Sequence, residues 1–198
     1  VITPVLHPIL SYHQDDKKYI FNSYIRIIKL LAILGFPLSV FLYFAAPELI
    51  LIMFGPQWGQ SIPVFKILAV TVGIQICLSS SGAIFQSVNR TDLLFTSGLL
   101  SAVFMIAGIC YGVFYGKSLE SVGYGLVIAF ILNFFQWFYM LINNALEESF
   151  FKFLKGFVFP ILISAILVGI MFMFEQLELK NYVLTFILKG LILGIVLT

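Results

Sequence analysis

Residues 62–88 read IPVFKILAVTVGIQICLSSSGAIFQSV, and the fold follows from this stretch. It is apolar throughout except for Lys66 and a set of amides and hydroxyls. At about 1.5 Å per helical residue it is long enough to cross about 30 Å of hydrocarbon. Its polar residues are ordered. Thr71, Gln75, Ser79, Gly82, Gln86 and, just beyond, Asn89 recur every three or four positions. On a helix they share an arc of roughly 100°. Val70, Val72, Ile76 and Phe85 fall on the opposite face. Two readings of the polar face stay open. It lines a cavity filled by water or substrate, or it is a helix–helix seam, because small and amide residues also hold membrane helices together.

Similar apolar stretches lie at 30–54, 93–115, 122–142, 154–174 and 182–198. Of the 198 residues 61% are hydrophobic and 10% charged, and the mean hydropathy is +1.08. A soluble domain carries about 25% charge. The pattern predicts an all-α, polytopic transmembrane bundle of about six spans, the last one truncated. The loops are too short for a separate soluble domain. A net charge of +2 gives no electrostatic footprint for nucleic acid. Residues 1–11 read as the end of a preceding transmembrane helix, 12–29 as a cytoplasmic loop with an amphipathic lead-in, and 30–198 as the bundle. The chain opens on Val1 and stops at Thr198 inside an apolar run, so it is expected to be the C-terminal part of a larger transporter.

Lysine and arginine set the orientation. Lys17, Lys18, Arg26, Lys29, Arg90, Lys152 and Lys155 fall on one side, against Lys66, Lys117 and Lys180 on the other. The bias predicts that 12–29, 89–92 and 143–155 are cytoplasmic. Trp58, Glu120 and Glu175 are then on the outer side. Pro37 and Pro47 fall within the first span and should kink it or mark its end. The fourth span carries Gly125, Ala129, Asn133 and Gln136; its small pair favours a close seam. Lys66 lies about one turn from a span end, where snorkelling explains it, and Glu48 is its expected partner. The depth of Lys189 stays open.

Catalytic and metal chemistry find no motif. Cys77 and Cys110 are far apart and read as buried thiols. His7 and His13 lack a second ligand at helical spacing. Asp15-Asp16 is followed by Lys17-Lys18 and reads as a solvated loop. Ser79-Ser80-Ser81 has neither a glycine elbow nor a nearby histidine. No carboxylate is expected deep in a span. Asn89-Arg90-Thr91 fits a glycosylation acceptor by pattern, but its short cytoplasmic turn argues against use. No catalytic residue, metal ligand or cofactor is expected, so the chain reads as a non-enzyme.

Several strings together resemble a known family. They are Pro8-Ile9-Leu10-Ser11 with Gln14-Asp15-Asp16, then Pro37, Ala46-Pro47, Gly55-Pro56-Gln57-Trp58, Ile62-Pro63-Val64-Phe65-Lys66-Ile67-Leu68-Ala69 and Asn89-Arg90-Thr91-Asp92. The chain resembles the C-terminal portion of Wzx-type polysaccharide exporters, the colanic acid and teichuronic acid branch of the MATE-like MOP flippase superfamily. The specific strings cover residues 1 to 95. The resemblance implies most of the C-terminal lobe of a two-lobed flippase in the bacterial inner membrane, working by alternating access. It implies polyprenyl-diphosphate-linked oligosaccharide as substrate, membrane lipid as surroundings, and other polysaccharide-assembly membrane proteins as partners. The substrate path would then include Lys66, Gln75, Ser79, Gln86, Asn89 and Arg90, with Lys17 and Lys18 as cytoplasmic cations that draw the diphosphate. Asn89 departs from the family, which often has glycine before the arginine. Two other classes stay open: a drug or small-cation extruder of the same superfamily, and a membrane ligase or polymerase of glycan assembly.

Overall fold

The computed structural model describes residues 16–176 and 181–197. The expected helix end at 1–11, together with His7, His13, Asp15 and Lys180, lies outside them. Every regular element among the described residues is helical.

Helix α1 spans Lys17–Phe44. Asp16 caps it, its carboxylate accepting the Tyr19 N–H at 2.9 Å. No break separates Lys17–Lys29 from the apolar run. Ile20, Phe21, Tyr24 and Ile28 are fully buried, and their spacing puts them on one helical face. Lys18, Arg26 and Lys29 are exposed. From Lys17 onward, the segment read as loop and lead-in is the first part of the span helix itself. Pro37 lies within α1, which continues to Phe44. After Ala45, α2 (Ala46–Met53) starts with Pro47 in its first turn, where a missing N–H has no helical partner to lose. Gly55 then turns the chain at φ +88° into a 3₁₀ turn over Pro56–Ser61.

The stretch 62–88 is broken. It forms α3 (Ile62–Ala69), α4 (Val72–Ser79) and α5 (Ser81–Ser87). The Pro56–Ala69 and Val72–Ser87 parts meet at 49°. Polar groups at the breaks are satisfied locally. Thr71 Oγ1 donates to the Leu68 carbonyl at 2.7 Å, Ser80 Oγ to Cys77 at 2.9 Å and Ser81 Oγ to Leu78 at 2.6 Å. The Gly73 N–H donates to Ser39 Oγ of α1 at 2.7 Å. A broken helix survives in lipid only when its backbone is satisfied in this way.

Helix α6 (Thr91–Tyr111) continues as a π turn to Gly116. Helix α7 (Leu119–Tyr139), capped by Ser118, continues likewise to Ala145. The short α8 (Phe150–Leu154) and a 3₁₀ turn lead into α9 (Val158–Glu175). Asn181 caps α10 (Tyr182–Leu197), accepting from Val183 and Leu184. Among the described residues four helical stretches are long and apolar enough to cross a membrane: Lys17–Phe44, Thr91–Gly116, Leu119–Ala145 and Phe150–Glu175. The bent pair makes a fifth, and Tyr182–Leu197 is apolar but shorter. The chain is a polytopic helical bundle, as its hydropathy predicts.

Helix α1 is the post on which the others lean. Its Tyr24 stacks on Phe153, which packs against Phe138 and Phe157 with centroids 4.8 and 5.2 Å away. Lipid is as apolar as these rings, so close packing rather than escape from water holds them together. At the other end Phe44, Leu167 and Met171 join α1 to α9, with Ile192 and Leu193 of α10 against them.

Candidate functional site

The broken span presents its two sides differently. Gly73, Cys77, Ser80, Ala83 and Phe85 are buried against the bundle. A Cβ added at Gly73 would stand 2.9 Å from the Gly35 carbonyl, so α1 and α4 touch backbone to backbone. Among the described residues the seam of this span therefore runs through Gly73, not through the amides. Gln75, Ser79, Gln86 and Asn89 are exposed and point away from the described bundle. Thr71 is the exception on that stripe: it is buried, and Gln75 Nε2 donates to its hydroxyl at 2.8 Å. Ser79 donates back to the Ile76 carbonyl at 2.7 Å. The side chains of Gln86 and Asn89 make no hydrogen bond with a described residue, which leaves their amides available.

Asn89 ends α5 at φ +55°, in the left-handed region. The Arg90 N–H reaches back to the Phe85 carbonyl at 2.9 Å, which makes a Schellman-type end with Asn89 at its left-handed position. After glycine, asparagine is the residue that takes this conformation most readily. The departure at Asn89 therefore keeps the turn and adds an amide.

Arg90 is already engaged. Its Nη1 donates to the Asn144 carbonyl at 3.0 Å, and its Nε and Nη2 donate to Asp92 at 3.1 and 3.3 Å. Lys17 donates to Glu147 at 2.6 Å. The beginning of α1, the Arg90 turn and the 143–148 segment thus meet at one end of the bundle. Lys18 is exposed and forms no ion pair with a described residue. Glu147, at φ +57°, has its carboxyl held below the usual carboxylate range by the Lys17 hydrogen bond and then by its charge. A lowered carboxyl strengthens the folded state above the ordinary carboxylate range and loses that contribution as pH falls through the lowered value. Glu147 is exposed and Lys17 partly so, and water screens the pair, so Glu147→Gln should change stability little and abolish this acid-side dependence. Thermal melting of the full-length protein against pH checks it.

Lys66 does not join the polar stripe. It is half-buried, 5.3 Å from the Tyr43 ring centroid. It lines a groove of about 680 Å³ with Tyr43, Val70, Ser164 and Glu175. Nor does it pair with Glu48. Glu48 pairs with Lys189 at 2.7 Å, with their side chains 7% and 3% exposed. Glu48 is thus buried by packing, in the first turn of α2 and past the end of the Lys17–Phe44 span. The partner lies 141 residues away in sequence, so spacing carried no signal for it. In the fourth span, the seam reading holds for Gly125 and Ala129. Gly125 is in backbone contact with Gly108, Ala129 is buried, and the Ser101 hydroxyl donates to Asn133 Oδ1 across the same interface.

These features define a multi-pass helical membrane protein with an outward-facing polar stripe on its one broken span among the described residues. Its similarities say of which kind. Residues 1–63 match the family model described as polysaccharide biosynthesis protein. The teichuronic acid biosynthesis protein TuaB of Bacillus subtilis is 25% identical over 171 residues, covering 83% of this chain and 34% of that protein. The lipopolysaccharide biosynthesis protein WzxC of Escherichia coli is 23% identical over 166 residues, covering 83% and 33%. The succinoglycan biosynthesis transport protein ExoT of Rhizobium meliloti is 26% identical over 117 residues, covering 59% and 24%. No solved structure matches. The resemblance to Wzx-type polysaccharide exporters read from the sequence strings is borne out, and the chain spans about a third of the length of TuaB and WzxC.

Proposed function

We propose that the chain is part of an exporter that carries polyprenyl-diphosphate-linked oligosaccharide across the bacterial inner membrane by alternating access, with Gln75, Ser79, Gln86 and Asn89 lining the glycan's path. One observation carries this reading. Among the described residues the span's small residues make the seam, while its amides face away from the bundle; Gln75 keeps one bond to Thr71, and the amides of Gln86 and Asn89 make none with a described residue. Sugar hydroxyls need such donors and acceptors along a hydrated path, and the lipid tail needs none. The 49° break gives this span a place to bend during the cycle. The Lys17–Glu147 and Arg90–Asn144 ties support one common side for 12–29, 89–92 and 143–155, which we take as cytoplasmic from their charge. With Arg90 and Lys17 so engaged, Lys18 is the one of these three candidate cations left to meet a diphosphate there. The cation-extruder reading gains nothing from Glu48, whose charge Lys189 already neutralises.

The test uses cells that lack the full-length parent gene and carry it back with Gln75→Leu and Gln86→Leu. Each lost hydrogen bond to substrate is worth about 1 kcal/mol or somewhat more. Surface polysaccharide should therefore fall about tenfold or more, and complete lipid-linked repeat units should collect in the cytoplasmic leaflet. Normal export by a correctly inserted variant would return the stripe to a packing role. Complete units already facing outward in the gene-less cells would favour a ligase or polymerase.

A further inference from the structure

The groove of about 680 Å³ that Lys66 lines runs between α1, α9 and the start of the bent span. It extends from Phe36 and Ile161 to Tyr43 and Glu175, at the end of the bundle opposite the Lys17–Glu147 tie. From Ile161 to Glu175 helix α9 rises about 21 Å at about 1.5 Å per residue. Half of the hydrocarbon core is about 15 Å thick, so the groove has the length of one leaflet, headgroup level included. Its walls are apolar, and Ile161, Val168 and Phe172 stand exposed along it. The two hydroxyls in the walls have local backbone partners. Ser164 donates to the Pro160 carbonyl at 2.9 Å, and Ser39 accepts the Gly73 N–H at 2.7 Å. The rim is different, because it carries both signs of charge. Lys66 forms no ion pair with a described residue and lies 5.3 Å from the Tyr43 ring centroid. Glu175 stands 4.0 Å from the Lys189 ammonium, beyond hydrogen-bond reach, and Glu48 already matches that ammonium at 2.7 Å. One cation and one anion thus face the same groove, neither hydrogen-bonded to a counter-ion among the described residues.

We propose that this groove binds one phospholipid with a zwitterionic, primary-ammonium headgroup, an acyl chain lying along α1 and α9. Lys66 donates to the lipid's phosphate, and Glu175 accepts from its ammonium. Below the rim the chain meets apolar side chains and hydroxyls already turned to the backbone, so it strands no polar group. The two charges choose the class of lipid. An anionic phospholipid or a polyprenyl diphosphate brings only negative charge, which Lys66 attracts and Glu175 repels. A quaternary ammonium has no N–H to give to a carboxylate. A phosphate and a primary ammonium on one headgroup satisfy both residues. Val70, at the break of the bent span, is part of the same wall, so the bound lipid lies against the bend. Gln75, Ser79, Gln86 and Asn89 do not line the groove. Lipid binding here therefore stands apart from the glycan path and does not rest on the exporter reading.

Native mass spectrometry of the full-length protein, released from nanodiscs of equal parts phosphatidylethanolamine, phosphatidylglycerol and phosphatidylcholine, tests the site. One phosphatidylethanolamine should stay bound in preference to the other two lipids. Lys66→Gln should cut that retention about tenfold or more, the loss of one charge-assisted hydrogen bond, and Lys66→Arg should keep it. Glu175→Gln removes the anion of the rim and should turn the preference to phosphatidylglycerol, a reversal that misfolding does not imitate. Val168→Trp fills the groove, leaves both charges in place, and should release the lipid. Equal retention of the three lipids by the wild type overturns the proposal, because boundary lipid makes no such choice. Unchanged preference in both Lys66→Gln and Glu175→Gln overturns it too. So does a wild type that keeps no phospholipid, which would mean that another part of the protein covers the groove. If the preference follows these variants but loss of the gene leaves surface polysaccharide unchanged, the exporter reading fails and the lipid site stands.

Discussion

Lys189→Met is expected to cost about 3–5 kcal/mol of stability, because it strands the buried Glu48 carboxylate without its counter-charge. Removing both partners should cost far less. In Glu48→Gln/Lys189→Met neither charge remains to be desolvated, and two well-packed neutral side chains replace the pair. Thermal melting of the full-length protein and its three variants gives the coupling directly. Equal losses in single and double variants would mean that the pair is not the tie between α10 and the α1–α2 corner. The large single-variant loss has a second source. Lys189 also donates to the Phe44 carbonyl at 2.6 Å, at the end of α1 where helical carbonyls lose their own partners. Methionine leaves that carbonyl unmatched among apolar neighbours.

The sequence made some of this legible and hid the rest for identifiable reasons. Hydropathy marked the apolar stretches because lipid tolerates few charges, so composition alone bounds the spans. The spacing of Gln75, Ser79 and Gln86 told that these side chains share a face, but not what the face meets. Among the described residues the close approach of this span runs through Gly73 and Gly35 instead. The early start of α1 was present in the spacing of Ile20, Phe21, Tyr24 and Ile28. The charges of Lys17, Lys18, Arg26 and Lys29 outweighed it in any average over the segment. The breaks at 70–71 and 80 lack the proline that usually announces one. Their signal is the hydroxyls of Thr71, Ser80 and Ser81, which bond back to carbonyls three residues earlier. The pairing of Glu48 with Lys189 was out of reach, because only the packed bundle brings α2 and α10 together.

Gly125→Leu is the second variant expected to have a large effect, and it isolates how α6 is held. A Cβ at Gly108 would lie 2.5 Å from the Gly125 carbonyl oxygen, and the reverse substitution meets Gly108 as closely. Neither neighbour is a flexible side chain that can swing aside; both are backbone, so the helices themselves must separate. Overpacking of this kind costs about 1–3 kcal/mol even where a core can adjust. Here separation also stretches the Ser101–Asn133 hydrogen bond and the Ser97 contact to Met140 across the same seam. Within α6 Ser97 alone is buried among the described residues, so few other contacts remain to hold the helix once α7 is pushed away. Lipid supplies no apolar driving force to bring the pair back, which is why small residues carry membrane seams. Gly98→Leu is the control on the same helix, since a Cβ there meets nothing within 4 Å. Melting of the full-length protein should fall markedly for Gly125→Leu and stay near wild type for Gly98→Leu. Equal behaviour of the two variants would show that the close approach of Gly108 and Gly125 does not hold α6 to α7.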